Sequence, residues 1–173
     1  RSTRVYVAVK KLLERFDCNA FTLPCFEICA TRRLHEEKYT FCLTHSLLKE
    51  EGIPSACESD YNALLSMILT MAVAKNAPHM ANTHPALPHE IPGDVLDTGN
   101  LIKMYHAVPT RYMKGRDKEM APYGLQCFTE GQWGATLRYH YTPDIGQTIT
   151  MVRLNPQGTK LMAARGTIAA DID

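Results

Sequence analysis

The sequence has no long hydrophobic run. No stretch of about 18 apolar residues occurs, so no membrane-spanning helix is expected. Neither sign of charge is in excess: 19 Lys and Arg stand against 18 Asp and Glu, a net charge of +1. That balance gives no electrostatic reason to expect a nucleic acid or an anionic membrane as partner. The phosphate-binding patterns GxGxxG and GxxxxGK followed by Ser or Thr are missing, and so is the nucleophile elbow GxSxG. Among six cysteines there is no CxxC pair. Cys25 and Cys29 are four apart, with no second thiol pair to complete a zinc site. The cysteines therefore read as reduced thiols, mostly buried, and disulfides are not expected. No signal-peptide pattern stands at the start, and a cytoplasmic location is expected.

What the chain does have is enough apolar material for a core. It holds 173 residues, 45% hydrophobic and 21% charged, which suits one domain or two small ones. Both ends read as cut, so a piece of a longer polypeptide is expected.

Apolar residues at 5, 8, 12, 13 and 16 predict a helix over residues 4–16. Residues 20–25 read as a short strand ending at Phe26-Glu27. Residues 39–51 predict a second helix, with Phe41, Leu43, Leu47 and Leu48 inward and Lys49-Glu50-Glu51 outward. Gly52 fits as its C-terminal cap and Pro54 forbids its continuation. Ser55-Ala56-Cys57 reads as the next strand, followed by a helix over residues 61–75. This alternation predicts an α/β segment with a parallel sheet.

A proline-rich connection over residues 77–98, carrying His79, His84 and His89, marks either a domain boundary or a functional loop. β patterns follow at 134–141, 147–154 and 159–168, which predict an antiparallel, barrel-like domain. The expected fold class is thus α/β, a parallel-sheet segment followed by an antiparallel β-barrel-like domain, divided into residues 1–98 and 99–173.

Glu27, Glu58 and Asp60 all fall at predicted strand C-termini. In a parallel sheet those ends converge on the crevice where ligands bind. Carboxylate oxygens suit hard divalent cations, and an added imidazole tilts the choice towards Mn²⁺. Each acid also has a structural reading: Asp60 as an N-cap, Glu58 as a first-turn acid, Glu27 as a surface residue. His106, closing a short apolar run, reads either as a ligand or as a satisfied core residue. His79, His84 and His89 match no ligand spacing. Trp133, Tyr139 and Tyr141 read as packing aromatics or as a sugar-stacking face.

The run from His45 to Asp60, His-Ser-Leu-Leu-Lys-Glu-Glu-Gly-Ile-Pro-Ser-Ala-Cys-Glu-Ser-Asp, followed by Ala63-Leu64 and Met67, resembles a segment of the L-fucose/L-arabinose isomerase family. Cys25-Phe26-Glu27 is similar to that family's strand ending in an active-site Glu, and Tyr105-His106-Ala107-Val108-Pro109 to its later His motif. Residues 134–168 resemble the start of its C-terminal barrel. The resemblance implies a metal-dependent aldose–ketose isomerase acting on a monosaccharide, using Mn²⁺ or another divalent cation. Glu27, Asp60 and His106 would be the ligands, and Glu27 and Asp60 would pass the proton between C1 and C2 through an enediol. Glu58 would stand behind the ligands or face the substrate, the resemblance leaving open the reverse assignment of Glu58 and Asp60. A homo-oligomer is also implied. The alternative is a non-catalytic fragment, a sugar-binding or assembly module that keeps the isomerase fold.

Overall fold

A computed structural model describes residues 1–91, 93, 100–128 and 132–172. The predicted boundary at residues 98 and 99 lies outside the described residues, as does the side chain of Cys29. The chain opens with helix α1 (Ser2–Arg15), followed by strand β1 (Phe21–Thr22) and the short helices α2 (Cys25–Ala30) and α3 (Arg33–Glu37). Helix α4 (Cys42–Glu50), strand β2 (Ser55–Ala56) and helix α5 (Tyr61–Ala74) come next. Six strands follow: β3 (Asn82–Pro85), β4 (Ile102–Tyr105), β5 (Gly124–Gln126), β6 (Thr136–Arg138), β7 (Thr148–Leu154) and β8 (Leu161–Thr167).

Helix α4 is the axis of the fold. Leu48 is fully buried between Val9 and Leu13 of α1, with Val5, Phe21, Phe41 and Ile53 packed around them. A second apolar cluster joins Cys42 of α4 to Ala56, Cys57, Leu64, Met67, Met80 and Val108. The helix stops where the sequence predicts. Gly52 takes a left-handed φ of 88° and returns its N–H to the Lys49 carbonyl, and Ile53 N–H reaches the Leu48 carbonyl.

The outward face predicted for Lys49-Glu50-Glu51 is not observed. Lys49 and Glu50 are buried and only Glu51 is exposed. The reason is the later chain, which crosses this side of α4: the Lys49 amine donates to the Val108 and Pro78 carbonyls at 2.8 and 3.2 Å. The Glu50 carboxylate accepts from the Arg111 backbone N–H and Nε, each at 2.8 Å.

The predicted fold class is overturned. The only parallel pairing among the described residues is β1 with β2, with Phe21 opposite Ser55 and Thr22 opposite Ala56. The remaining strands form three separate antiparallel pairs, β3–β4, β5–β6 and β7–β8, and no closed barrel occurs among the described residues. Strands of two to four residues cannot carry a parallel sheet with helical crossovers. The β7–β8 hairpin is the longest pairing, from Thr148–Thr167 to Leu154–Leu161. It docks on α5 instead of on the other pairs, with the Leu154 N–H donating to Ser66 Oγ at 2.8 Å. The fold is a small mixed α and β arrangement of helices and two-stranded sheets. Among the described residues no helix is long and apolar enough to cross a membrane.

Candidate functional site

Residues 57–60 leave β2 through a tight turn. Glu58 and Ser59 both adopt left-handed backbone conformations, with φ of 64° and 52°. Two successive non-glycine residues in that region cost of order 1–3 kcal/mol each, and such conformations cluster at functional sites. The turn is held by the Ser59 N–H donating to the Leu23 carbonyl at 2.9 Å and by the Asp60 N–H donating to the Cys57 carbonyl at 3.1 Å. Strain here aims Glu58 towards the β3–β4 pair. Asn82, at the start of β3 and opposite Tyr105, donates from Nδ2 to Glu58 Oε1 at 3.3 Å. His106, one residue past β4, brings Nε2 to 3.3 Å from the same oxygen.

His106 is the most informative side chain of the site. Its side chain is only 8% exposed; Nε2 faces the Glu58 carboxylate, and Nδ1 has no hydrogen-bond partner among the described residues. Glu58 is thus close enough for charge attraction without being aligned as a hydrogen bond. Burial lowers the His106 pKa; Glu58 opposes that shift and Lys49 adds to it. A buried imidazole with Nδ1 unused suits a ligand role, because a buried polar atom without a partner is otherwise costly.

The other predicted ligands do not converge on it. Glu27 stands in the first turn of α2, a helix where a strand end is predicted, and its side chain is exposed. The cause is local: β1 ends at Thr22, and the Cys25 N–H already turns back to the Leu23 carbonyl. Asp60 fulfils its N-cap reading, accepting the Ala63 N–H on Oδ1 at 2.8 Å. The same carboxylate binds Arg153 of β7, with Nη1 to Oδ2 at 2.7 Å and Nη2 to Oδ1 at 3.1 Å. Among the described residues no group of three or more His, Cys, Asp or Glu is arranged to hold a metal ion. The donor types of Glu58 and His106 suit Mn²⁺, but they make a pair and not a site, and Glu27 and Asp60 stand apart from that pair.

Beneath this pair lies a buried polar layer that sequence patterning missed. Lys49 is fully buried and its pKa is pushed down to about 7 by desolvation. His45 donates to or accepts from Ser55 Oγ through Nδ1 at 2.7 Å, and His79 meets the Tyr141 hydroxyl at the same distance. Burial, reinforced by the Lys49 and His106 charges, holds both imidazoles down at about 3. Cys25, at the start of α2, touches Cys57, with the sulfurs 3.2 Å apart. The hydrogen bond from Cys57 lowers the Cys25 pKa to about 7, and the same contact, together with burial, raises that of Cys57. No spacing rule joins Lys49 to Val108 or Cys25 to Cys57, so only the folded chain reveals them.

Two open depressions accompany the site. One, of about 350 Å³, is lined by His84, Pro85, Leu87, Glu90, Lys103 and Tyr105. The other, of about 600 Å³, lies between Lys114 and Gln147. Neither is lined by Glu58 or His106, so that pair lies apart from both. Trp133 offers no stacking platform with Tyr139 and Tyr141. It meets His35 and Phe128 edge-on, while Tyr139 and Tyr141 pack against each other. No protein-family model, curated protein or solved structure matches this chain.

Proposed function

We propose that the chain carries part of a metal-dependent aldose–ketose isomerase acting on a monosaccharide. The observation that supports this reading most is His106: buried, with Nδ1 unpartnered and Nε2 3.3 Å from the Glu58 carboxylate on a strained turn. The motif resemblance around residues 45–67 supports it independently. In this reading His106, Asp60 and Glu27 would hold Mn²⁺ or another divalent cation only after a rearrangement that brings the two acids to the imidazole, and Glu58 would face the sugar. When bound, the cation supplies Lewis acidity towards a carbonyl and its neighbouring hydroxyl. Glu27 and Asp60 would be the carboxylates that carry the proton between C1 and C2. For Asp60 to serve it must exchange Arg153 for that role. The reading carries a cytoplasmic location and a homo-oligomeric assembly, in which neighbouring copies would help complete the pocket.

Isothermal calorimetry of the full chain with Mn²⁺ tests the proposal. Saturable binding that weakens at least tenfold in His106→Ala is the expected result, accompanied by Mn²⁺-dependent conversion of an aldopentose or 6-deoxy-aldohexose to its ketose. Absence of both binding and conversion would overturn it.

A second reading has its own observation. Asp60 spends its carboxylate on Ala63 and Arg153, as it would in a module that keeps the fold without the chemistry. Sugar binding unaffected by chelation of divalent cations would favour that module.

A further inference from the structure

Two thiols from distant segments meet where the parallel pair ends. Thr22 of β1 lies opposite Ala56 of β2, so the two chains leave the pair from adjacent positions. The Ser59 N–H donates to the Leu23 carbonyl and fastens the two exits together. Cys25 and Cys57 follow those exits, and their sulfurs stand 3.2 Å apart. Their surroundings differ. Cys57 is buried, at 4% exposure, whereas Cys25 is half-buried and open to small solutes. A disulfide requires the sulfurs to close to about 2.05 Å. The shift is about 1 Å, and Cys25 starts α2, a helix of only six residues whose next two side chains, Phe26 and Glu27, are exposed.

We propose that Cys25 and Cys57 form a peroxide-oxidisable dithiol, with Cys25 as the thiol attacked first and Cys57 as the resolving thiol. In the first step Cys25 Sγ takes one oxygen from hydrogen peroxide. The O–O bond breaks, an S–O bond forms, and one water leaves. In the second, Cys57 Sγ attacks the Cys25 sulfur. The S–O bond breaks, the S–S bond forms, and a second water leaves. The pair of thiols loses two electrons and two protons, and the peroxide is reduced to two waters. The product ties the start of α2 covalently to the turn that carries Glu58. The inference stands whether or not the chain is an isomerase, because it rests on the sulfur contact alone.

Treatment of the full chain with stoichiometric hydrogen peroxide, followed by alkylation, digestion and mass spectrometry, tests it. A Cys25–Cys57 cross-linked peptide, two hydrogens lighter than the sum of its parts, is expected. Two of the six thiols should be lost and then restored by dithiothreitol. Cys57→Ser should leave Cys25 as a sulfenic acid that dimedone captures. Cys25→Ser, at the half-buried position where folding is least at risk, should abolish the cross-link. A cross-link through other cysteines, a Cys25→Ser chain that still loses two thiols, or no oxidation of Cys25 at all would overturn the proposal.

Discussion

Arg153 clasps Asp60 through both guanidinium nitrogens, at 2.7 and 3.1 Å, while Asp60 Oδ1 also caps α5. One carboxylate therefore does two structural jobs of unequal weight. The ion pair is partly exposed, with Arg153 50% accessible, so it is worth about 0–1 kcal/mol. The cap is worth about 0.5–2 kcal/mol. Asn caps as well as Asp does, so Asp60→Asn should cost less than about 1 kcal/mol, whereas Asp60→Ala should cost about 1–2 kcal/mol. Urea denaturation of the two variants checks the ordering; equal losses would show that the cap contributes nothing.

Releasing the clasp tests the ligand reading from the other side. Arg153→Ala leaves the Asp60 cap in place but removes the cation that competes for its oxygens. Mn²⁺ affinity measured by calorimetry should then rise several-fold, with stability changed by less than about 1 kcal/mol. An affinity that does not change would count against Asp60 as a ligand.

Lys49 is a fully buried tie from α4 to the later chain. Lys49→Met fills similar volume but leaves the Val108 and Pro78 carbonyls without their donor. Each buried acceptor left unsatisfied costs about 1–3 kcal/mol, offset in part by removing a buried amine, so a net loss of about 2 kcal/mol is expected. A Lys49→Met chain more stable than the parent, by chemical denaturation, would mean that the amine is only a desolvation cost.

The buried imidazoles impose a pH dependence with a definite sign. His45 and His79 sit at about 3 in the folded chain because burial disfavours their charged form, against an ordinary value of 6.5. Below 6.5 the unfolded chain takes up protons that the folded chain refuses. Stability from these two groups is therefore complete above about 6.5 and falls as the pH drops towards 3, by up to about 1.4 kcal/mol per pH unit for each. His106 is shifted in the same direction. Lys49, at about 7 instead of 10.5, adds stability as the pH rises through that interval. The urea midpoint should climb steadily between about pH 5 and pH 7. A flat profile would place these histidines in contact with water.

Helices were legible wherever one face alternates with another. The stripe at 5, 8, 12, 13 and 16 anticipates α1, and Gly52 with Pro54 anticipates the end of α4, because both signals are local. The β7 and β8 runs and the turn between them were equally plain. Sheet architecture was not, because pairing partners are chosen by tertiary contacts that no short window contains. The error over Glu27 has this origin: Leu23-Pro24-Cys25 has the composition of a strand end, yet the chain turns into a helix there. The misplaced Lys49 and Glu50 have the same cause. Their outward look on the helix wheel is reversed by the Val108 carbonyl and Arg111, about sixty residues away. For the site, Glu58 and His106 were named in advance and lie together; the clasp of Arg153 and the contact of Cys25 with Cys57 had no local signature.

The registers of the strand pairs also set an order of assembly. Leu154 finds Leu161 across a short turn, so the β7–β8 hairpin can close on the microsecond scale of isolated hairpins. Phe21 must find Ser55 across α2, α3 and α4, a closure that has to wait for those helices to dock. The Glu58 turn, the Cys25–Cys57 contact and the approach of His106 all depend on that late pairing. The corner of the protein with the most chemistry therefore forms after the hairpin, and amide exchange should find it among the first regions to open.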